Sequence, residues 1–260
     1  MPNGQAGPLR NESQQPELED SRSDMPRIAL HFTSNPVRAI LASGKIALFL
    51  ALIIFAQAGN LSAKEHKRGQ FDDFILALSW SPSYCADDPG QRDAQQCAPG
   101  RRFAFVVHGL WPIFVNGWPK SCESRKDWIP QERIDAMLDV MPSKKLIIHE
   151  WKKHGACSGM TQADYFGSVR KIFGSVRIPA RYLSPQAPVT ITPEQLVADF
   201  VKSNRGLTAD MLSVHCGNAK DLARLSELRI CVNKAGSFTA CGTTDRWQCK
   251  AKTIVMPPVK

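Results

Sequence analysis

The segment FDDFILALSW places apolar residues at Phe74, Leu76, Leu78 and Trp80, the period-2 pattern of a half-buried strand, which Pro82 ends. FAFVV, residues Phe103–Val107, is a continuous aromatic and β-branched run and predicts a buried central strand. His108 then falls at the end of that strand, where Gly109-Leu110-Trp111-Pro112 makes the chain turn. Ser83–Arg102 between the two is polar, includes Asp87-Asp88-Pro89-Gly90, and predicts a loop bounded by Cys85 and Cys97. Beyond Trp128 the period changes. Ile134, Met137, Leu138 and Met141 predict an amphipathic helix within Trp128–Met141, starting near Pro130. Tyr165, Phe166, Val169, Ile172, Phe173 and Val176 predict another over Thr161–Val176, with Thr161 as its cap. Thr192-Pro193-Glu194-Gln195 opens a third with a capping box, and its buried stripe is Leu196, Val197 and Phe200. The last third returns to strands, at Arg229–Asn233, Ser237–Cys241 and Trp247–Val255, separated by Lys234-Ala235-Gly236 and Gly242-Thr243-Thr244. Helices and antiparallel strands are thus segregated, which predicts an α+β fold in one domain, residues 64–260, without internal repeats.

Residues 1–63 carry no such pattern. Residues 1–45 are rich in Pro, Ser, Asn, Gln and charge and predict disorder. Lys45, the apolar run Ile46–Ala56, and the small-residue sites Ala56-Gln57-Ala58 and Leu61-Ser62-Ala63 then follow in the order of a secretory signal peptide. The run is 11 residues long, against about 20 needed to span a bilayer, so cleavage after 58 or 63 is expected rather than a permanent membrane anchor. All eight cysteines lie beyond this leader, which predicts disulfides formed in an oxidising compartment, periplasmic or extracellular. None sits in a C-x₂-C pair of the kind that zinc sites use, and the pairing is open on spacing alone. From Lys64 onward 28 Lys and Arg face 19 Asp and Glu, so the net charge of +9 belongs to the exported part. Such a charge suits a polyanion, nucleic acid foremost.

The candidate chemistry is concentrated in LIIHEWKKHGAC, residues Leu146–Cys157, with His149, Glu150, Lys153 and His154 beside an apolar run. The spacing is H-E-x-x-x-H, one residue longer than the zinc-protease pattern H-E-x-x-H. On a helix His149 and His154 would stand about 140° apart, and Lys153 would repel a cation, so no metal is expected. The same helix pairs His149 with Lys153 as an anion site, and Glu150 with His154, where the carboxylate orients the ring and favours its protonated form. With His108 approaching from the core strand, one acid, one base and positive charge are present for phosphodiester cleavage. Two histidines suffice on RNA, which supplies its own 2′-hydroxyl nucleophile.

FAFVVHGLWP and LIIHEWKKHGAC resemble the two active-site segments of the ribonuclease T2 family, secreted acid endoribonucleases, and LSWSPSYC and the four late cysteines are also similar to that family's. The resemblance runs from Phe71 to the C-terminus. It implies a central antiparallel β-sheet flanked by helices, no cofactor and no metal, with RNA as the partner of a monomer. It implies that His108 is the general acid for the 5′-oxygen and His154 the base for the 2′-hydroxyl. His149 is then a phosphate-binding group, Glu150 and Lys153 stabilise the pentacoordinate state, and Trp111 stacks on a base. It also implies the disulfides Cys85–Cys97, Cys122–Cys157, Cys216–Cys249 and Cys231–Cys241. Products would be 2′,3′-cyclic and then 3′-phosphates. Relatives often carry a polar or acidic residue after HGLWP; Ile113 and Phe114 stand here, which predicts broad base specificity. The alternative from another class is an inactive RNA-binding or storage protein on the same scaffold. Trp151, Gly109 and Gly155 read as packing and turn residues, and His66 and His215 receive no role.

Overall fold

The period-2 segment forms β1, Asp73–Trp80, and its even-numbered residues Phe74, Leu76, Leu78 and Trp80 enter the main core. In this computed structural model, residues 66–87, 93–119, 122, 128–217, 222–243 and 249–260 are described. The expected leader and both its cleavage sites lie outside them. Pro82 does end β1, but a helix follows rather than a loop. Ser81–Asp87 is α1, with Pro82 in the first turn, where its missing N–H costs nothing. Ala94–Cys97 is the one-turn α2, capped by Asp93, and Cys85–Cys97 joins the two short helices. Neither carries an apolar stripe; buried Gln96 holds them together by donating to Ser81 Oγ at 3.1 Å.

β2, Phe105–Ile113, runs straight through the predicted turn. α3 is only Gln131–Asp135, and the next five residues continue as turns that still bury Met137. α4, Lys144–Lys153, holds most of the second motif and is capped by Ser143, whose hydroxyl accepts the Leu146 N–H at 3.1 Å. α5, Gln162–Ser175, starts at Thr161 as its cap. The short β3, Val189–Ile191, precedes α6, Pro193–Ser203, where Thr192 and Gln195 form the predicted capping box. β4, Leu212–Cys216, and β5, Leu222–Asn233, follow, and β6, Thr253–Met256, comes last. Ser237–Cys241 is not a strand. Asn233 accepts the Ala235 and Ser237 N–H groups and curls the chain, leaving one bridge between Phe238 and Val232. Of Trp247–Val255, the strand begins at Thr253, and Trp247 lies outside the described residues.

Among the described residues the sheet has six strands in the order β2-β1-β5-β6-β3, with β4 also on β5. All pairs are antiparallel except β5 with β6. One face carries the main core, where Leu228, Ile230 and Val232 of β5 join the even residues of β1 and the apolar stripes of α4, α5 and α6. Among the described residues the other face carries a small cluster around Ile75, Ala77, Ile113 and Cys231, leaving room for a site. The cysteines pair as Cys85–Cys97, Cys122–Cys157, Cys216–Cys249 and Cys231–Cys241, the pairs that the resemblance implies.

Asn204, 5% exposed, ties the end of α6 to the chain leaving α5. Its Oδ1 accepts the Arg177 N–H at 2.7 Å, and its Nδ2 donates to the Arg177 and Phe200 carbonyls, each at 2.9 Å. Truncation would leave buried backbone groups unpaired, each at a cost of about 1–3 kcal/mol. Asn204→Ala is therefore expected to lower the unfolding free energy by at least about 2 kcal/mol, read from urea denaturation midpoints.

Candidate active site

β2 contains one residue more than its partner. Ala77 pairs with Gly109 and Leu78 with Val107, so His108 is the extra residue of a β-bulge. The bulge reverses the alternation: Phe105 and Val107 point into the main core before it, Leu110 after it. Trp111 and Ile113 consequently reach the opposite face with Ile75 and Ala77. Arg229 and Glu227 of β5 stand on that face too, opposite Ala77 and Ser79. α4 completes the site from the side. Ile147 and Trp151 anchor it in the main core while Glu150, 1% exposed, turns toward β2.

Gly109 makes this approach possible. A Cβ there would lie 2.1 Å from Glu150 Oε2 and 2.4 Å from Trp111 Nε1, so the glycine is required by packing against the carboxylate and not by a turn. Trp111 Nε1 donates to Glu150 Oε2 at 2.6 Å. The other oxygen, Oε1, is 3.5 Å from His108 Nε2, and His154 Nε2 is 4.0 Å from Oε2. His154 occupies the position just beyond α4 and stacks on Trp111 with ring centroids 5.2 Å apart. Gly155 admits the Trp151 ring, which a Cβ would meet at 2.4 Å, and starts a tight turn to Ser158. A cleft of 310 Å³ results. His108, Trp111, His149, Glu150, Lys153 and His154 all line it, together with Trp118, Glu227 and Arg229. A second hollow of 350 Å³ shares His108 and His149 and extends past Ser79, Lys145 and Leu146.

The electrostatics separate the two central histidines. Burial, then the charges of Lys153, His108 and His149, push His154 down to about 3, so the ring is neutral over most of the pH range. That overturns the expectation that Glu150 favours protonated His154, since the carboxylate is spent on the Trp111 N–H instead. Burial also opposes charge on His108, yet the hydrogen bond and charge of Glu227, with the charge of Glu150, outweigh it and raise its pKa. Burial raises the Glu150 carboxyl, with the His108 charge and the Trp111 hydrogen bond pulling the other way. His149 is lowered by burial and by Lys153 and His108, so it is a poorer cation than its spacing from Lys153 suggests. Among the described residues no group of three or more His, Cys, Asp or Glu side chains is placed to hold a metal ion.

A model of the Ribonuclease T2 family matches residues 71–241, the stretch that holds every side chain of the cleft. The chain belongs to that family. A ribonuclease of Aeromonas hydrophila is 38% identical to this T2 chain over 126 residues, 46% of it and 54% of the relative. Ribonuclease I of Escherichia coli K12 is 26% identical over 239 residues, 74% of this chain and 86% of that one. The solved structure of the RNase-related protein from Calystegia sepium shares the T2 fold with a TM-score of 0.57 at 23% identity, over 75% of this chain and 100% of that one. The chain spans about half the length of the Aeromonas relative and of a probable ribonuclease of Haemophilus influenzae, 54% in each.

Glu227, Arg229 and Trp118 are the charged and aromatic cleft residues that sequence reasoning passed over. For the first two a signal existed. In LARLSELRICVN the core takes Leu228, Ile230 and Val232, so the charged positions between them must share a face with whatever else the sheet presents there.

Gly109→Ala is expected to displace Glu150 and cost about 1–3 kcal/mol through overpacking. A lowered melting temperature and altered tryptophan emission, as the Trp111 hydrogen bond breaks, would register it. Folded His154 protonates only near 3, whereas the unfolded ring does so near 6.5, so the unfolded state takes up more protons as pH falls between these values and stability declines. His108, raised, acts in the opposite sense but is common to wild type and variant. His154→Gln is therefore expected to show a shallower loss of urea midpoint between pH 7 and pH 4 (about one His titration removed) than the wild type.

Proposed function

We propose that this domain is an endoribonuclease that cleaves RNA by attack of the 2′-hydroxyl on the adjacent phosphorus. The observation that carries the reading is the placement of two imidazoles on either side of one buried carboxylate, His108 Nε2 at 3.5 Å and His154 Nε2 at 4.0 Å from its two oxygens, with the pKa of His154 lowered to about 3 and that of His108 raised. A neutral His154 suits the base that removes the 2′-hydroxyl proton, and a protonated His108 the acid that delivers a proton to the 5′-oxygen as its bond to phosphorus breaks. The product is a 2′,3′-cyclic phosphate, which water opens to a 3′-phosphate with the two roles exchanged.

Lys153 supplies positive charge at the phosphate, and His149 at the shared edge of the two hollows contacts the same group. Glu150 fixes the distance between acid and base. Trp111, bonded to Glu150 and stacked on His154, serves that assembly first, and the half-exposed indole of Trp118 at the cleft adds a surface on which a base can stack, a contact worth about 1–3 kcal/mol. Ile113 offers the base no hydrogen bond, in keeping with broad specificity. The ribonuclease names of the Aeromonas and Escherichia relatives support RNA as the substrate.

Neither cofactor nor metal has a role in this reading, and the enzyme acts as a monomer. Four disulfides fit an exported protein, and among the described residues no helix is long and apolar enough to cross a membrane. Residues 1–63 are then a leader removed after 58 or 63, and residues 64–260 the catalytic domain in the periplasm or outside the cell.

Purified mature protein digesting RNA in EDTA is expected to release cyclic-phosphate and 3′-phosphate ends after all four bases. Absence of these ends, or arrest by the chelator, overturns the reading. The rate should climb near pH 3 as His154 loses its proton and decline above the ordinary histidine range as His108 does. His108→Ala and His154→Ala should each lower kcat by about 10²–10⁴-fold while the circular dichroism spectrum is unchanged.

A further inference from the structure

Glu227 lies on β5, outside both histidine motifs, and meets His108 from behind. Its Oε1 is 2.5 Å from His108 Nδ1, and its Oε2 accepts from Arg229 Nε at 2.9 Å. The side chain is 12% exposed, so water competes little for either oxygen. An ionised carboxylate has only lone pairs to offer, so the proton of this short contact belongs to Nδ1. Ser79 Oγ, 3.3 Å from the same nitrogen, sits on that side of the ring too. Nε2 is left facing the cleft and Glu150. Among the described residues His154 has no comparable support: its ion-pair contact is with Glu150 Oε2, at 4.0 Å.

We propose that Glu227 is a positioning residue that makes His108 the acid of the reaction, by holding its Nδ1–H and so fixing both the tautomer and the charge with which Nε2 meets the leaving group. The inference rests on the ribonuclease reading above and assigns its acid to a cause. In the charged form Nε2 carries the proton that passes to the 5′-oxygen as the P–O5′ bond breaks. In the neutral form that follows, Nδ1–H stays on Glu227, and the Nε2 lone pair is ready to accept a proton from the water that opens the cyclic phosphate. Arg229 keeps Glu227 ionised through the turnover. Burial alone would raise this carboxyl, but His108 and Arg229 hold it down at about 2. The other groups facing His108 are Glu150 from α4, which adds to the attraction, and Arg229 from β5, which opposes it. His149, Lys153 and His154 bring further positive or neutral groups around the cleft, so Glu227 is the contact that tips His108 toward charge.

The test compares leaving groups. Glu227→Gln keeps the shape but offers an amide, and is assayed on a dinucleoside phosphate and on a uridine 3′-(4-nitrophenyl phosphate), whose leaving group departs without protonation. We expect kcat on the dinucleotide to fall on the order of 10²-fold with KM little changed, the aryl ester to lose less than about 10-fold, and the descending limb of the pH profile to move to lower pH. Glu227→Asp should recover part of the loss. Equal losses on both substrates with an unmoved descending limb would reduce Glu227 to a structural role and overturn the proposal. Should Glu227→Gln fail to fold, nitrogen NMR of the wild type decides: neutral His108 as the Nδ1–H tautomer supports the proposal, and the Nε2–H tautomer refutes it. A wild type inactive on both substrates would instead refute the ribonuclease reading, and the tautomer would still report on Glu227.

Discussion

A carboxylate taken out of water beside two imidazoles is the constraint that the rest of the site obeys. Glu150 cannot be buried at the sheet surface unless Gly109 leaves space for it, Trp111 gives it an N–H, and α4 is held down by Ile147 and Trp151. Removing an anion from water is unfavourable without such partners. Each partner therefore has a place fixed by this one group, and His108 and His154 are set at either side of it. The Cys122–Cys157 bridge fastens the chain immediately after this assembly, and the Gly69 N–H donates to the Cys157 carbonyl at 2.9 Å, so the backing is closed as well.

Two identical side chains thereby acquire different properties from their surroundings alone. His154 is enclosed among positive neighbours and stacked on an indole, while His108 has a carboxylate at each nitrogen. Desolvation penalises charge on both rings. What differs is the compensation, which only His108 receives in the form of a short hydrogen bond to an anion.

Features written locally in the chain were legible in it. Thr161 and Thr192 cap helices because a hydroxyl reaches an N–H within one turn, and the density of His149, Glu150, Lys153 and His154 marks α4 by residue type alone. Features that depend on a partner strand were not. GLWP reads as a turn, yet β2 is an edge strand, and there Pro112 can pair with Phe74 although it has no N–H to donate on its open side. Glu227 stands 119 residues from His108, and only the pairing of β1 with both β2 and β5 brings them together. The coupling of Glu150 with His154 at i, i+4 was sound as spacing, but the nearer Trp111 N–H took the carboxylate.

The bulge at His108 sets which face each later residue of β2 takes. A substitution in the cleft alters one side chain, whereas drawing His108 into the pairing, with the length of the strand unchanged, would restore unbroken alternation. Every residue after it would then exchange faces. Leu110 would be thrust into the cleft and Trp111 and Ile113 into the main core, and no glycine would lie beneath Glu150. Val107 and Leu110, three residues apart, therefore share the core only while His108 stays outside the pairing.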